Sequence, residues 1–285
     1  MKWFWCAFFV FWPIVAVAVC WIAPANGWWF PGPAASPLGR RIDDLFYLIL
    51  WITSITFFGT QIALGYVLFT GAKKTEPGNE EKAWFSHGSH ELEVIWSVVP
   101  AVVLLFIALY QMEVWAEYRV KDSFPRVEME KVLVRLKQQR TAKNSLALAE
   151  VTARQFEWRI RYPGFDENGN LLPLMPEPQP TDLYSVNDLH LPFGSPVMIN
   201  LITQDVQHSF FLPELRVKQD AVPGLSIPIW FEADRQATYQ LLCAELCGWG
   251  HYKMSARFVA DSEAGFLEYL RTLHREQNYD GVATK

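Results

Sequence analysis

The chain has 285 residues, 51% of them hydrophobic and 15% aromatic, with a formal net charge of −5. That apolar load is high for an average soluble protein, yet mean hydropathy is only +0.06, so the apolar residues must be segregated along the chain. The negative charge argues against a nucleic-acid binder. The four cysteines do not make a disulfide framework: Cys6 and Cys20 sit in an N-terminal apolar run, and Cys243 and Cys247 form a distant C-x3-C pair.

Residues 3–22 carry no charge and end near Ala23-Pro24-Ala25. Two readings stay open, a cleaved signal peptide or a retained membrane helix, since the run is long enough to span. Either way the following segment, 26–42, lies outside and reads as a loop rich in Gly, Pro and Trp. Leu45 to Ala72 is uncharged and measures about 42 Å as helix, enough to cross a bilayer with tilt. Lys73 to Glu91 is a polar hairpin loop. Val94 to Met112 is a further uncharged span, with Pro100 near its start, where a kink is tolerable. Charge does not orient these spans, because Lys73, Lys74 and Lys82 are nearly balanced by Arg40 and Arg41. The loop is placed inside because the chemistry described next belongs outside.

Residues 111–143 are charged and periodic at Val127, Val132, Leu133 and Leu136. They predict a helix leaving the membrane, a break at Pro125 and then an amphipathic helix. From Leu146 the pattern changes. Leu146, Leu148, Val151, Phe156, Trp158, Ile160 and Tyr162 partly alternate; Pro163 to Asp182 is a loop; and Val197–Ile202, Ile227–Phe231, Tyr239–Leu242 and Ala256–Val259 are short apolar runs between turn signals. They predict a small β-sandwich or barrel. An amphipathic helix over 262–274 follows, with Phe266, Leu267, Leu270 and Leu273 on one face. There is no Cys-x-x-Cys-His for a covalent haem, and no glycine-rich nucleotide loop or hydrolase elbow.

The chemistry concentrates in Cys243-Ala-Glu-Leu-Cys-Gly-Trp-Gly-His-Tyr-Lys-Met254, with His208 upstream. Thiolate, imidazole and thioether together suit copper. A single type 1 copper needs one thiolate fewer than this set holds. A tetrahedral zinc takes both Cys and both His but gives Met254 no role. Two coppers bridged by both thiolates use every donor, with a backbone carbonyl of the Cys243–Cys247 loop as the remaining weak ligand. Such a site has no open position for a substrate, so it passes electrons and makes no bonds.

His208, then Cys243-x-Glu245-x-Cys247-x3-His251-x2-Met254, resembles the binuclear copper A motif of subunit II of haem-copper cytochrome c oxidase. Asp205-Val-Gln-His208-Ser-Phe and Lys218-Gln-Asp-Ala-Val-Pro-Gly224 resemble its flanks, and Glu91-Leu-Glu93-Val-Ile-Trp96-Ser-Val-Val-Pro100 resembles the start of its second membrane helix. The resemblance covers residues 43–274 and is specific, because ligand spacings and both flanks agree. It implies a membrane-anchored all-β protein, a two-helix transmembrane hairpin carrying a cupredoxin-like β-sandwich or barrel, with residues 3–22 as a third helix if retained. The segments are 1–25, signal peptide or extra helix; 43–115, hairpin; 116–145, charged connector; 146–274, copper domain; and 275–285, tail. It further implies that Cys243 and Cys247 bridge two coppers and that His208 and His251 each bind one. Met254 and the Glu245 carbonyl are then weak ligands. The Glu245 carboxylate reaches a magnesium shared with subunit I, and Glu93 stands at a proton-channel mouth. This chain holds no haem. Its partners are subunit I, other oxidase subunits, lipid, and cytochrome c or a cytochrome domain of a partner complex. Its place is the bacterial inner membrane, with the copper domain on the periplasmic side.

One feature departs from the family, whose first strand carries Gln-Trp-x-Trp with its first Trp receiving electrons. Here it reads Gln155-Phe156-Glu157-Trp158. Strand alternation puts Phe156 and Trp158 on one face, and Trp249 and Tyr252 are candidates to share the electron-accepting role. Asp205, Glu232 and Asp234 are candidates for an acidic docking patch. Three rivals are a membrane-anchored copper chaperone, a quinol oxidase subunit and a nitrous oxide reductase domain. The chaperone needs exposed ligands, the quinol oxidase subunit lacks the ligand set, and the reductase carries a large catalytic domain.

Overall fold

The computed structural model describes residues 2–28, 32–74, 87–139 and 146–278. Most of the expected polar loop after Lys74 and the end of the expected tail lie outside them. The chain divides into two compact units, Met1–Gly32 with Asp43–Trp115, and Pro33–Ile42 with Ala116–Lys285.

The first unit is helical. Three helices, α1 (Lys2–Ile22), α2 (Pro37–Lys74) and α3 (His90–Arg119), include stretches long and apolar enough to cross a membrane, over Phe4–Ile22, Pro37–Gly71 and His90–Arg119. α3 buries none of its residues, and a helix apolar all round yet uncovered by protein requires lipid as its solvent. Along α2, Thr53, Thr56, Thr60 and Thr70 turn their hydroxyls back onto carbonyls three or four residues earlier, so none needs water. α1 runs antiparallel to α2. Trp21 meets Trp51 at 4.3 Å between ring centroids, and at the other end a Cβ on Gly65 would lie 3.1 Å from Val10 Cγ2.

α2 begins at Pro37, eight residues before the uncharged run. The Ser36 hydroxyl accepts the Gly39 N–H at 2.8 Å, and Ser-Pro at the first two positions is a standard helix start. Ser36 also donates to the Leu215 carbonyl at 2.9 Å, and the Ala35 N–H donates to Glu214 O at 2.8 Å. The end of the segment expected as an external loop is therefore stitched into the second unit.

That unit is a β-sandwich of two five-stranded sheets, as expected. Its strands are β1 (Ala147–Arg154), β2 (Glu157–Tyr162), β3 (Leu183–Val186), β4 (Asp188–Pro192), β5 (Val197–Thr203), β6 (His208–Leu212), β7 (Val217–Ala221), β8 (Ile227–Phe231), β9 (Ala237–Cys243) and β10 (Ser255–Asp261). The orders are β3-β2-β1-β5-β8 and β4-β10-β9-β6-β7. Trp158, Tyr162, Phe210, Phe231 and Phe258 fill the core. α5 (Glu263–Asn278) closes one side through Phe266 and Leu270, the Phe266 ring 6.0 Å from that of Tyr162. The connector breaks at Pro125 and resumes as α4 (Arg126–Arg135), burying Met129, Val132 and Leu133. Leu136, just past its end, is also buried, whereas Val127 faces solvent.

Candidate metal centre

Sheet pairing assembles the donor set. His208 opens β6 and Cys243 ends β9. These strands pair antiparallel with Phe210 opposite Cys243, and the Ala244 N–H donates to Ser209 O at 3.0 Å. β10 starts at Ser255 and pairs with β9, and the Cys243 N–H donates to Met254 O at 3.1 Å. The loop 244–254 is thus the end of a β9–β10 hairpin, pinched where its two terminal donors meet. A turn of 3-10 helix, His251–Lys253, aims His251 back toward the thiols.

The geometry is nearly symmetric. Cys243 Sγ and Cys247 Sγ lie 3.9 Å apart, unbonded. Cys243 Sγ is 3.8 Å from His208 Nδ1 and 3.2 Å from the Glu245 carbonyl oxygen. Cys247 Sγ is 3.6 Å from His251 Nδ1 and 3.8 Å from Met254 Sδ. Each sulfur therefore has one imidazole nitrogen and one weak donor beside it. His208, Cys243, Cys247 and Met254 are buried, and the donor atoms of His208, Cys243 and Cys247 fall within 4.8 Å of one another.

The electrostatics ask for a cation. Burial pushes the Cys243 thiol up, but the His208 imidazole, backbone groups at Ser209 and Glu245, and His251 outweigh it and hold it at about 6. Burial and the neighbouring Cys243 sulfur push Cys247 up to about 11. Two thiolates this close ionise together only when positive charge stands between them. Soft sulfur, imidazole and thioether are donors that copper prefers, so the residues present fit copper. A single tetrahedral zinc would leave Met254 Sδ and the Glu245 carbonyl beside the sulfurs without a role.

The supporting contacts are equally specific. Asp205 Oδ1 lies 2.8 Å from His208 Nε2; it accepts the hydrogen bond of the Nε2–H and so leaves Nδ1 as the metal-facing lone pair. Burial depresses His208 basicity, but Cys243 and Asp205 more than reverse this and raise it. Asp205 Oδ2 accepts the Gln155 N–H at 2.8 Å, and Gln155 Nε2 donates to Cys247 O at 2.5 Å. One hairpin-tip residue thereby ties the carboxylate behind His208 to the second thiol's backbone. The Asp-x-x-His spacing was the available sequence signal for Asp205. Gln155 stood out only as the first residue of Gln-Phe-Glu-Trp; its bond to Cys247 did not, because that partner is 92 residues away.

The aromatic candidates separate. Alternation put Phe156 and Trp158 on one face, but β2 begins at Glu157, so Phe156 sits in the turn before it. Trp158 is fully buried, its ring 6.4 Å from that of His208. Phe156 packs edge-on against Trp249 with centroids 5.2 Å apart. Trp249 and Tyr252 are 77% and 82% exposed. The three acids do not gather: Asp205 serves His208, Asp234 pairs with Arg40, and Glu232 is on β8's C-terminal flank, its carboxyl raised by burial and by Asp234. Glu93 is exposed in the first turn of α3, in the helical unit.

Two family models match. "Cytochrome C oxidase subunit II, periplasmic domain" covers residues 149–260, and "Cytochrome C oxidase subunit II, transmembrane domain" covers residues 25–114. The "Alternative cytochrome c oxidase subunit 2" of Bradyrhizobium diazoefficiens is 27% identical over 276 residues, covering 90% of this chain and 87% of its own length. The "Cytochrome c oxidase subunit 2" of Cereibacter sphaeroides is 29% identical over 262 residues, covering 84% and 78%. A crystal structure of the periplasmic domain of subunit II of cytochrome oxidase of Bradyrhizobium japonicum is 23% identical, covers 45% of this chain and 93% of that one, and has a TM-score of 0.37. With both halves of the chain matched and the copper-type donor set assembled between β6 and β9, this protein belongs to the cytochrome c oxidase subunit II family and is part of an oxidoreductase complex.

Proposed function

We propose that this chain is the electron-accepting subunit of its oxidase, taking single electrons from a c-type cytochrome and passing them toward haem in subunit I. The carrying observation is the paired sulfurs, each with one imidazole and one weak donor beside it. Cys243 and Cys247 would bridge two metals, His208 and His251 would each hold one, and Met254 and the Glu245 carbonyl would be weak ligands. Bound there, copper supplies a one-electron couple shared between two metals. The protein's part is to keep the donors fixed and dry: Asp205 orients His208, Gln155 holds the Cys247 carbonyl, and the buried Trp158 and Phe210 wall the site from within. With little rearrangement available, reorganisation on electron transfer is small.

Electrons would arrive through the exposed Trp249 and the Phe156 ring in contact with it, with Trp158 a buried packing partner of His208. The Glu245 carboxylate would reach a magnesium shared with subunit I, and Glu93 would mark the proton-channel mouth. The sandwich unit would face the periplasm, the helices would lie in a bacterial inner membrane among lipid and the other oxidase subunits, and the segment limits would be those read from the sequence. A copper chaperone is disfavoured because metal transfer needs accessible ligands and four of these are buried.

Metal content and electron paramagnetic resonance of the detergent-solubilised full chain test this. Two coppers per chain with one unpaired electron shared equally between two copper nuclei is the expected result. One copper, or zinc alone, would overturn it.

A further inference from the structure

The face over the metal loop carries the most exposed large apolar side chains of the described residues, Leu246 at 78%, Trp249 at 77% and Tyr252 at 82%. Exposed aromatics beside a rigid loop mark a docking surface, since Trp and Tyr contribute most when a partner covers them. The loop cannot fold them away. A Cβ on Gly250 would lie 2.5 Å from Phe156 Cδ2, and one on Gly248, where φ is +137°, 2.9 Å from Gln155 Nε2. The loop and the β1–β2 hairpin tip are thus pressed together as one surface.

The charge on that surface is the informative part. Glu157 is shared by Arg154 at 3.8 Å and Arg159 at 2.7 Å. Asp205 is turned to His208 and the Gln155 N–H. Lys253 Nζ stands 4.6 Å from the centre of the Trp249 ring. Glu245 is half-buried. Hairpin tip and loop together present three cations, Arg154, Arg159 and Lys253, against the carboxylates of Glu157 and of the exposed Asp205 beside the tip, so this face has no acidic excess. The chain's net −5 lies elsewhere, and charges beyond about 10 Å are screened at 0.1 M salt.

We propose that the electron donor for this subunit is a cytochrome with an apolar, neutral-to-acidic haem-edge surface. It docks by burying Trp249, Tyr252 and Leu246, not by ion pairs between an acidic patch and a basic cytochrome. This rests on the electron-accepting role proposed above. Lys253, over the Trp249 ring, repels a basic partner at contact and draws an acidic one, and steering of this kind changes association rates by about tenfold or more.

Stopped-flow reduction of the copper-loaded oxidase carrying this chain tests it, with two soluble c-type cytochromes of matched potential, one strongly basic and one acidic. Between about 20 and 300 mM salt the acidic probe's second-order rate constant should stay within about threefold or fall, and the basic probe's should stay level or rise. Trp249→Ala should lower both by about tenfold at every salt concentration, and Lys253→Glu should speed the basic probe at low salt. A basic-probe rate constant that falls about tenfold with salt, or one that Trp249→Ala leaves unchanged, would overturn the proposal. Reduction by neither probe, with the metal spectrum intact, would overturn the electron-accepting role itself and the proposal with it.

Discussion

His208 offers one nitrogen to a metal because Asp205 occupies the other at 2.8 Å. Replacing Asp205 by Asn keeps an acceptor there but removes the charge that makes the imidazole a better donor. Loss of such a support weakens metal binding by about tenfold to a hundredfold. Copper retention by Asp205→Asn against a graded chelator should fall by that amount, with the fold unchanged by circular dichroism. The thiols set the pH dependence. Metal binds the deprotonated forms; Cys243 is held at about 6 and Cys247 at about 11. Between those values Cys243 is already ionised, and loading must expel the Cys247 proton. Apparent affinity should therefore rise about tenfold per pH unit from that thiol alone, and fall more steeply below about 6 as Cys243 also protonates. Chelator competition at several pH values measures the slope, and a flat profile from 6 to 9 would contradict it. All six ligand candidates were legible, since five fall within twelve residues and His208 has recognisable flanks. The role of Gln155 was not, because nothing local marks a side chain that serves a carbonyl 92 residues away.

Among the elements, hairpin tip and metal loop act as one part. Gly250→Ala would place a methyl 2.5 Å from the Phe156 ring, and overpacking of this sort costs about 1–3 kcal/mol. Denaturant unfolding of the metal-free chain should show that loss. Because Phe156 is the cause, Phe156→Leu should recover part of it in the double variant; equal losses in single and double variants would show that the strain lies elsewhere. Some strands were hard to see for physical reasons. β7, Val-Lys-Gln-Asp-Ala, lies at a sheet edge and pairs only with β6, so it can be polar and reads as loop. β6, His-Ser-Phe-Phe-Leu, buries four of its five residues, which erases the alternation that marks a half-buried strand. β8 was evident because its apolar run is bounded by turn residues on both sides. The start of α2 was missed because hydropathy shows where lipid begins, whereas Ser36 and Pro37 show where the helix begins.

For the whole molecule, charge along the sequence could not orient the spans. Arg40 pairs with Asp234 and Arg41 with Glu117, so the first turns of α2 belong with the β-sandwich, as the grouping of 33–42 with 116–285 requires. We expect α2 and α3 to cross a membrane as a pair, which would put the ends of the link between Lys74 and His87 on the inner side. Of the two basic clusters, Arg40 and Arg41 are ion-paired in the folded protein. α2, with 38 residues, measures about 57 Å as helix, well beyond the ~30 Å apolar core of a bilayer, so it is longer than one crossing needs. Reporter fusions decide the matter: a phosphatase that is active only after export, joined after Lys285, should be active, and the same reporter inserted between Lys74 and His87 should be silent. The reverse pattern would place the metal loop on the cytoplasmic side, out of reach of an external donor. Activity at both positions would mean that α2 and α3 do not cross as a pair, even though α3 buries none of its apolar residues.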